Sequence, residues 1–135
     1  MRVEGAIWDA VEAILASRNQ LSIAATGGGS SLVNWLFNHP GASRALLEAQ
    51  IPYCGSALED YLAFPGPHRV ELQTARNMAD VAYARALFLR AAGAPCLGVG
   101  LTAALATDRA RRGADRAHLA LRTEGSYQFF KLGLG

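Results

Sequence analysis

The chain has 135 residues, 51% apolar and only 18% charged, which suits one folded domain with its own core and excludes a disordered chain. Its net charge of +2 arises from thirteen basic residues, all arginine except Lys131, against eleven acidic ones, and a surplus this small is no argument for nucleic acid. No stretch reaches the roughly 18 consecutive apolar residues of a membrane span, and the N-terminus lacks the order of a signal peptide. A cytoplasmic protein with neither nucleic-acid nor membrane partners is expected.

Along the chain, residues 4–17 place Ile7, Val11, Ile14 and Leu15 on one helical face. The run Gln20–Thr26 has strand length and ends in three glycines. From Ser30, Leu32, Trp35 and Leu36 recur at helical spacing until Pro40 forces a stop. Residues 45–53 read as a strand that Pro52 either demotes to a sheet edge or ends at that point. Residues 56–63 read as a short helix, closed by the breakers Pro65, Gly66 and Pro67. The longest periodic segment spans 70–93, with Leu72, Ala75, Met78, Ala79, Ala82, Ala86 and Leu89 as its buried stripe and Gly93 as its stop. The apolar run 96–105 suits a central strand covered on both faces. Residues 117–123 and 126–134 read as two further strands joined by a hairpin at Glu124–Gly125. Strands interleaved with helices predict an α/β fold: one three-layer α/β/α domain over residues 1–135, with a central mixed sheet.

The chemistry-bearing residues are few. A glycine-rich turn between a strand and a helix presents backbone N–H groups and the positive end of the helix dipole, a ready cradle for an anion. Gly27, Gly28 and Gly29 would allow close approach, while Ser30 and Ser31 can cap the helix or donate to a ligand. The bland alternative is an ordinary turn with a capping serine. It is not a Walker A loop, because no lysine follows the glycines. Gly98–Ala103 imitates a dinucleotide fingerprint, but it falls on a strand and not at a helix start. His39, His68 and His118 are scattered, and no cluster has zinc spacing, so neither metal nor cofactor is expected. Arg109–Gly113 reads as a solvated basic loop, with phosphate binding as the alternative. Cys54 and Cys96 read as reduced thiols, Cys54 being a weak candidate nucleophile. Trp8 and Trp35 read as packing residues.

Taken in order, ATGGGSS at 25–31, HPGASRALLEAQIPYCGSALEDYL at 39–62, ARNMADVAYARAL at 75–87 and GVGLTAAL at 98–105 resemble the C-terminal domain of the competence/damage-inducible CinA family. That family includes nicotinamide-nucleotide amidohydrolase, which deamidates nicotinamide mononucleotide. The family block A-E-S-C-T-G-G falls on Ser22–Gly28, so the resemblance places Ile23 at its glutamate and Ala24 at its serine nucleophile. Thr26, Gly27 and Gly28 are kept. The block T-Y-S-N-E-A-K falls on Pro52–Leu58, keeping Tyr53 and Ala57 and placing Leu58 at the catalytic lysine. The block V-T-G-I-A-G-P falls on Leu101–Thr107, keeping Thr102 without the glycine-rich turn. The pattern resembles a variant branch of the family, and family members usually continue past the last strand into another helix.

The resemblance implies binding of a phosphorylated ligand, a pyridine nucleotide, by Thr26, Gly27, Gly28, Gly29, Ser30, Ser31, Tyr53 and Thr102, with the catalytic pair lost. Two alternatives stay open. One is an active deamidase whose nucleophile has moved to Ser30, Ser31 or Cys54; the other is a structural module. A homo-oligomer is expected under any of these.

Overall fold

The computed structural model describes residues 9, 12–16, 18–27, 30–104 and 116–133. Residues 9 and 12–16 are helical, and the rest of the helix expected over 4–17 lies outside the described residues. The chain then forms β1 (Gln20–Gly27), α1 (Ser30–Asn38), α2 (Ala42–Ala45), β2 (Leu46–Gln50), α3 (Gly55–Leu62), α4 (Leu72–Leu89), β3 (Cys96–Ala104), β4 (Arg116–Arg122) and β5 (Tyr127–Gly133). The strands make one five-stranded mixed sheet in the order β2-β1-β3-β4-β5. Strands β2, β1 and β3 run parallel, while β4 and β5 are antiparallel to their neighbours. The strand expected over 45–53 is shorter, Leu46–Gln50: it lies at the edge of the sheet and ends two residues before Pro52. The hairpin at Glu124–Gly125 is closed by the Thr123 N–H donating to the Ser126 carbonyl at 3.0 Å.

Because side chains alternate along a strand, the sheet has two unlike faces. One carries Leu21, Ile23, Ala25, Leu97, Val99, Leu101, Leu119 and Leu121, packed against Ile14, Val33 and Leu36 from the helical segments. The other carries Ser22, Ala24, Thr26, Gly98, Gly100, Thr102, His118 and Ala120, and α3 and α4 cover it. Here α4 lies directly on the strand backbone. A methyl group at Gly100 would overlap the Ala75 carbonyl, and one at Gly98 the Ala79 carbonyl and the Tyr83 N–H. Two helix-bearing faces around a mixed sheet make the three-layer α/β architecture. Among the described residues, no helix is long and apolar enough to cross a membrane.

Two expectations for α4 need correction. The helix stops at Leu89, four residues before Gly93, with Arg90 already extended. The physical reason is that the Ala91 N–H is taken by the Gln20 side-chain oxygen at 2.9 Å, across from β1, and not by a helix carbonyl. The buried stripe also differs: Thr74 and Tyr83 join it, while Leu72 and Leu89 are substantially exposed at the two helix ends. Gly98 and Gly100 draw the middle of the helix onto the sheet, which favours its alanines over its leucines.

Candidate functional site

The chain leaves β1 toward α1 on one face of the sheet, yet enters β3 from α4 on the other. The chain also leaves the carboxyl end of β2 toward α3 on that second face, so the connections from the neighbouring parallel strands β1 and β2 diverge at their carboxyl ends. In open α/β sheets that divergence opens the crevice where ligands sit. The position follows from topology alone.

The turn lies at this crevice. Gly27 ends β1 with φ of +65°, and a Cβ there would overlap the carbonyl oxygen of Ala103, its partner on β3. Only glycine meets both demands. Gly28 and Gly29 lie outside the described residues, as do the side chains of Ser30 and Ser31, where α1 begins. Thr26 is buried, and its hydroxyl donates to the Pro52 carbonyl at 3.1 Å. That bond ties the turn to the segment between β2 and α3, which carries Tyr53 and Cys54. Tyr53 is 75% exposed.

Cys54 is exposed at the N-cap of α3, with its sulfur 3.3 Å from the Ser56 hydroxyl. That hydrogen bond, followed by the backbone amides opening the helix, holds the thiol below its ordinary value. Cys96 is buried, and burial pushes its thiol up.

Thr102 is in register with Thr26 on β1 and with His118 on β4, and β5 extends the row with Lys131. The structure thus joins Thr26, Gly27 and Thr102, with Tyr53 one residue beyond Pro52. It also adds a residue that the sequence reading passed over as scattered. His118 is only 7% exposed, and among the described residues its buried Nδ1 has no hydrogen-bond partner. Burial first, then the positive charges of Lys131 and Arg116, lower its pKa against an opposing pull from Glu71. No local motif marks it, because only the β3–β4 register brings it opposite Thr102.

Deeper on the same face, Ala24 and Leu58 meet in one buried cluster with Leu62 and Met78. These are the positions where the resemblance puts a serine and a lysine, and here both are apolar. Toward the β2 edge, Glu48 accepts a two-pronged hydrogen bond from Arg85 of α4, at 2.9 and 2.7 Å, and a longer one from Ser22. The Arg85 bond holds the Glu48 carboxyl below its usual range, and burial beside it pushes the Tyr61 phenol up. Glu48 and Arg85 fasten the edge strand to the helix.

Arg109–Gly113 lies outside the described residues. Among the described residues, no group of three or more His, Cys, Asp or Glu is arranged to hold a metal ion. A separate concavity of about 560 Å³, lined by Glu12, Arg18, Asn19, His39 and Arg44, opens at the amino end of β1 and touches none of the residues above.

No protein-family model matches the sequence, and no curated protein sequence does. The three-dimensional comparison decides the matter. A CinA superfamily protein from Escherichia coli superposes with a TM-score of 0.68 at 15% identity, covering 99% of this chain and 78% of that one. The fold is CinA-like. A competence/damage-inducible protein from Agrobacterium tumefaciens gives 0.65 at 19% identity, over 98% of this chain and 81% of its own. A competence damage-inducible protein A from Klebsiella pneumoniae gives 0.65 at 15% identity, over 100% and 84%. At these identities the likeness establishes the CinA-like architecture, and the chemistry rests on the side chains described above.

Proposed function

We propose that this CinA-like domain grips the phosphate of a pyridine-type nucleotide at the turn Thr26–Ser31 and does not hydrolyse it. The observation that carries the reading is the shared burial of Ala24 and Leu58 near Gly27, the glycine that ends β1 against the Ala103 carbonyl. Serine-based amide hydrolysis needs an alcohol to attack, a base to take its proton and donors for the developing oxyanion. Alanine cannot attack, and leucine cannot accept a proton. Losing members of such a unit removes most of the chemical rate. Phosphate binding at a helix start asks only for backbone N–H groups and room, both of which a glycine turn supplies.

Isothermal titration with nicotinamide mononucleotide and nicotinate mononucleotide tests the grip, and ammonia release tests the chemistry. The expected result is saturable binding of at least one nucleotide with no ammonia above a heat-killed control. Silence of the titration across nucleotides overturns the reading.

One observation favours a second reading, in which Cys54 acts as a relocated nucleophile: the exposed thiol at a helix start, with its pKa lowered by Ser56. Ammonia release that disappears in Cys54→Ala, with nucleotide binding retained, would select it.

A further inference from the structure

We propose that the head of α4 and the imidazole of His118 form a subsite for an anionic oxygen, carried by a carboxylate or a phosphate. It lies across the sheet from the turn after β1. Two independent observations converge on it. First, α4 is an 18-residue helix whose N-cap, Glu71, makes no side-chain capping bond, and its first turn holds no acidic residue. Its opening N–H groups and positive dipole end therefore lack the usual capping side chain. Second, His118 is more than nine-tenths buried, and among the described residues its Nδ1 has no hydrogen-bond partner. A buried polar atom without a partner is costly and calls for an explanation.

The two features face each other. Ala120, two residues beyond His118 on the same face of β4, packs against Ala75 and Ala79 of α4. Arg116, two residues before it, donates through Nε to the carbonyl of Val70, immediately ahead of the N-cap, at 3.3 Å. His118 is thus held opposite the first turn of α4. Among the described residues, the charged groups that act on it are Lys131 from β5, Arg116 from its own strand and Glu71 from the N-cap. Among the described residues, two cations and a helix N-terminus against one carboxylate make the place electropositive, so its complement is an anion. The neutral imidazole completes the set by donating Nδ1–H to the bound oxygen.

Two strand spacings separate His118 from Thr26, about 10 Å. A single ligand with anionic groups at that separation would engage both places, and that extension alone rests on the function proposed above.

Nuclear magnetic resonance of the whole chain tests the subsite, with inorganic phosphate and acetate as separate probes. The expected result is a saturable shift of the His118 ring nitrogens and of the Leu72–Thr74 amides, with the His118 titration midpoint moving up as the anion favours imidazolium. Whichever probe saturates at the lower concentration identifies the source of the oxygen. The Thr26 and Gly27 amides report on the turn independently. Their response with a silent His118 ring overturns this inference and spares the turn; the reverse spares the subsite. Lys131→Ala, at an exposed position, should weaken the ring response to phosphate several-fold without disturbing the fold. His118→Asn should abolish the Leu72–Thr74 response. An unchanged response in Lys131→Ala, or a ring silent to both anions, overturns the subsite.

Discussion

The two faces of the sheet differ in kind. The face under α1 is a continuous set of leucine, isoleucine, valine and alanine, closed by Ile14, Val33 and Leu36. The face under α4 carries serine, threonine, histidine, glycine and alanine from the same strands, at the alternate positions. Bulk on one side supplies burial. Its absence on the other lets a helix backbone come down onto the strands and leaves polar groups in line at the carboxyl end. The division teaches that packing bulk and polar side chains can share strands while using different faces.

The sharpest way to break this comparison is to put bulk on the lean face. Gly100→Val would drive its side chain into the Ala75 carbonyl and the α4 backbone, with no flexible neighbour to yield. The expected outcome is loss of folded protein, read as insoluble expression or a collapsed circular dichroism spectrum. Emptying the rich face should be milder. Leu101→Ala, at a fully buried position, is expected to cost about 2–5 kcal/mol, measured as a lower urea midpoint. Smaller still is Ala24→Ser, which restores an alcohol where the resemblance expects one but seats it in an apolar cluster. A buried hydroxyl without a partner costs about 1–3 kcal/mol. Ammonia release should stay at background, because Leu58 offers no base.

The smallest effect separates the faces by pH. His118 has a pKa below its ordinary 6.5, so the unfolded chain takes up that proton first. Its contribution to stability is therefore whole above pH 6.5 and is lost as pH falls toward the folded value. Glu48 is likewise lowered, from 4.5, so its contribution holds above that pH and is lost on further acidification. His118→Gln should flatten the stability profile just below pH 6.5, and Glu48→Gln should flatten it below 4.5. Leu101→Ala should lower the whole profile without changing its shape. Chemical denaturation across the pH range distinguishes these outcomes, and a Leu101→Ala profile of altered shape would show that the faces are not separable.

Much of the fold was legible from local signals. Pro40 and Pro52 punctuated the chain, alternation and apolar runs marked β1 and β3, and the Glu124–Gly125 turn declared its hairpin. The end of α4 was not, because the Gln20 side chain, seventy-one positions away in sequence, takes the Ala91 N–H. The exposure of Leu72 and Leu89 was hidden for a similar reason. Helical periodicity names the apolar stripe, but the glycines of another strand decide which part of that stripe touches the sheet. At the candidate site, Thr26, Gly27, Tyr53 and Thr102 stood out through the resemblance, whereas His118 did not. A lone histidine in a strand has no local signature, and its neighbours depend on the register between β3 and β4.

By itself, then, the sequence determined the alternation of strands and helices, the glycine turn after β1 and the apolar residues at Ala24 and Leu58, since each is a matter of local pattern or residue type. Only the tertiary structure decided that Ala24 and Leu58 share one buried cluster, that Gly27 abuts Ala103, and that His118 stands opposite Thr102 at the head of α4. These are contacts between segments far apart in the chain. Strand order and register fix them, and neither is written in any single stretch of sequence.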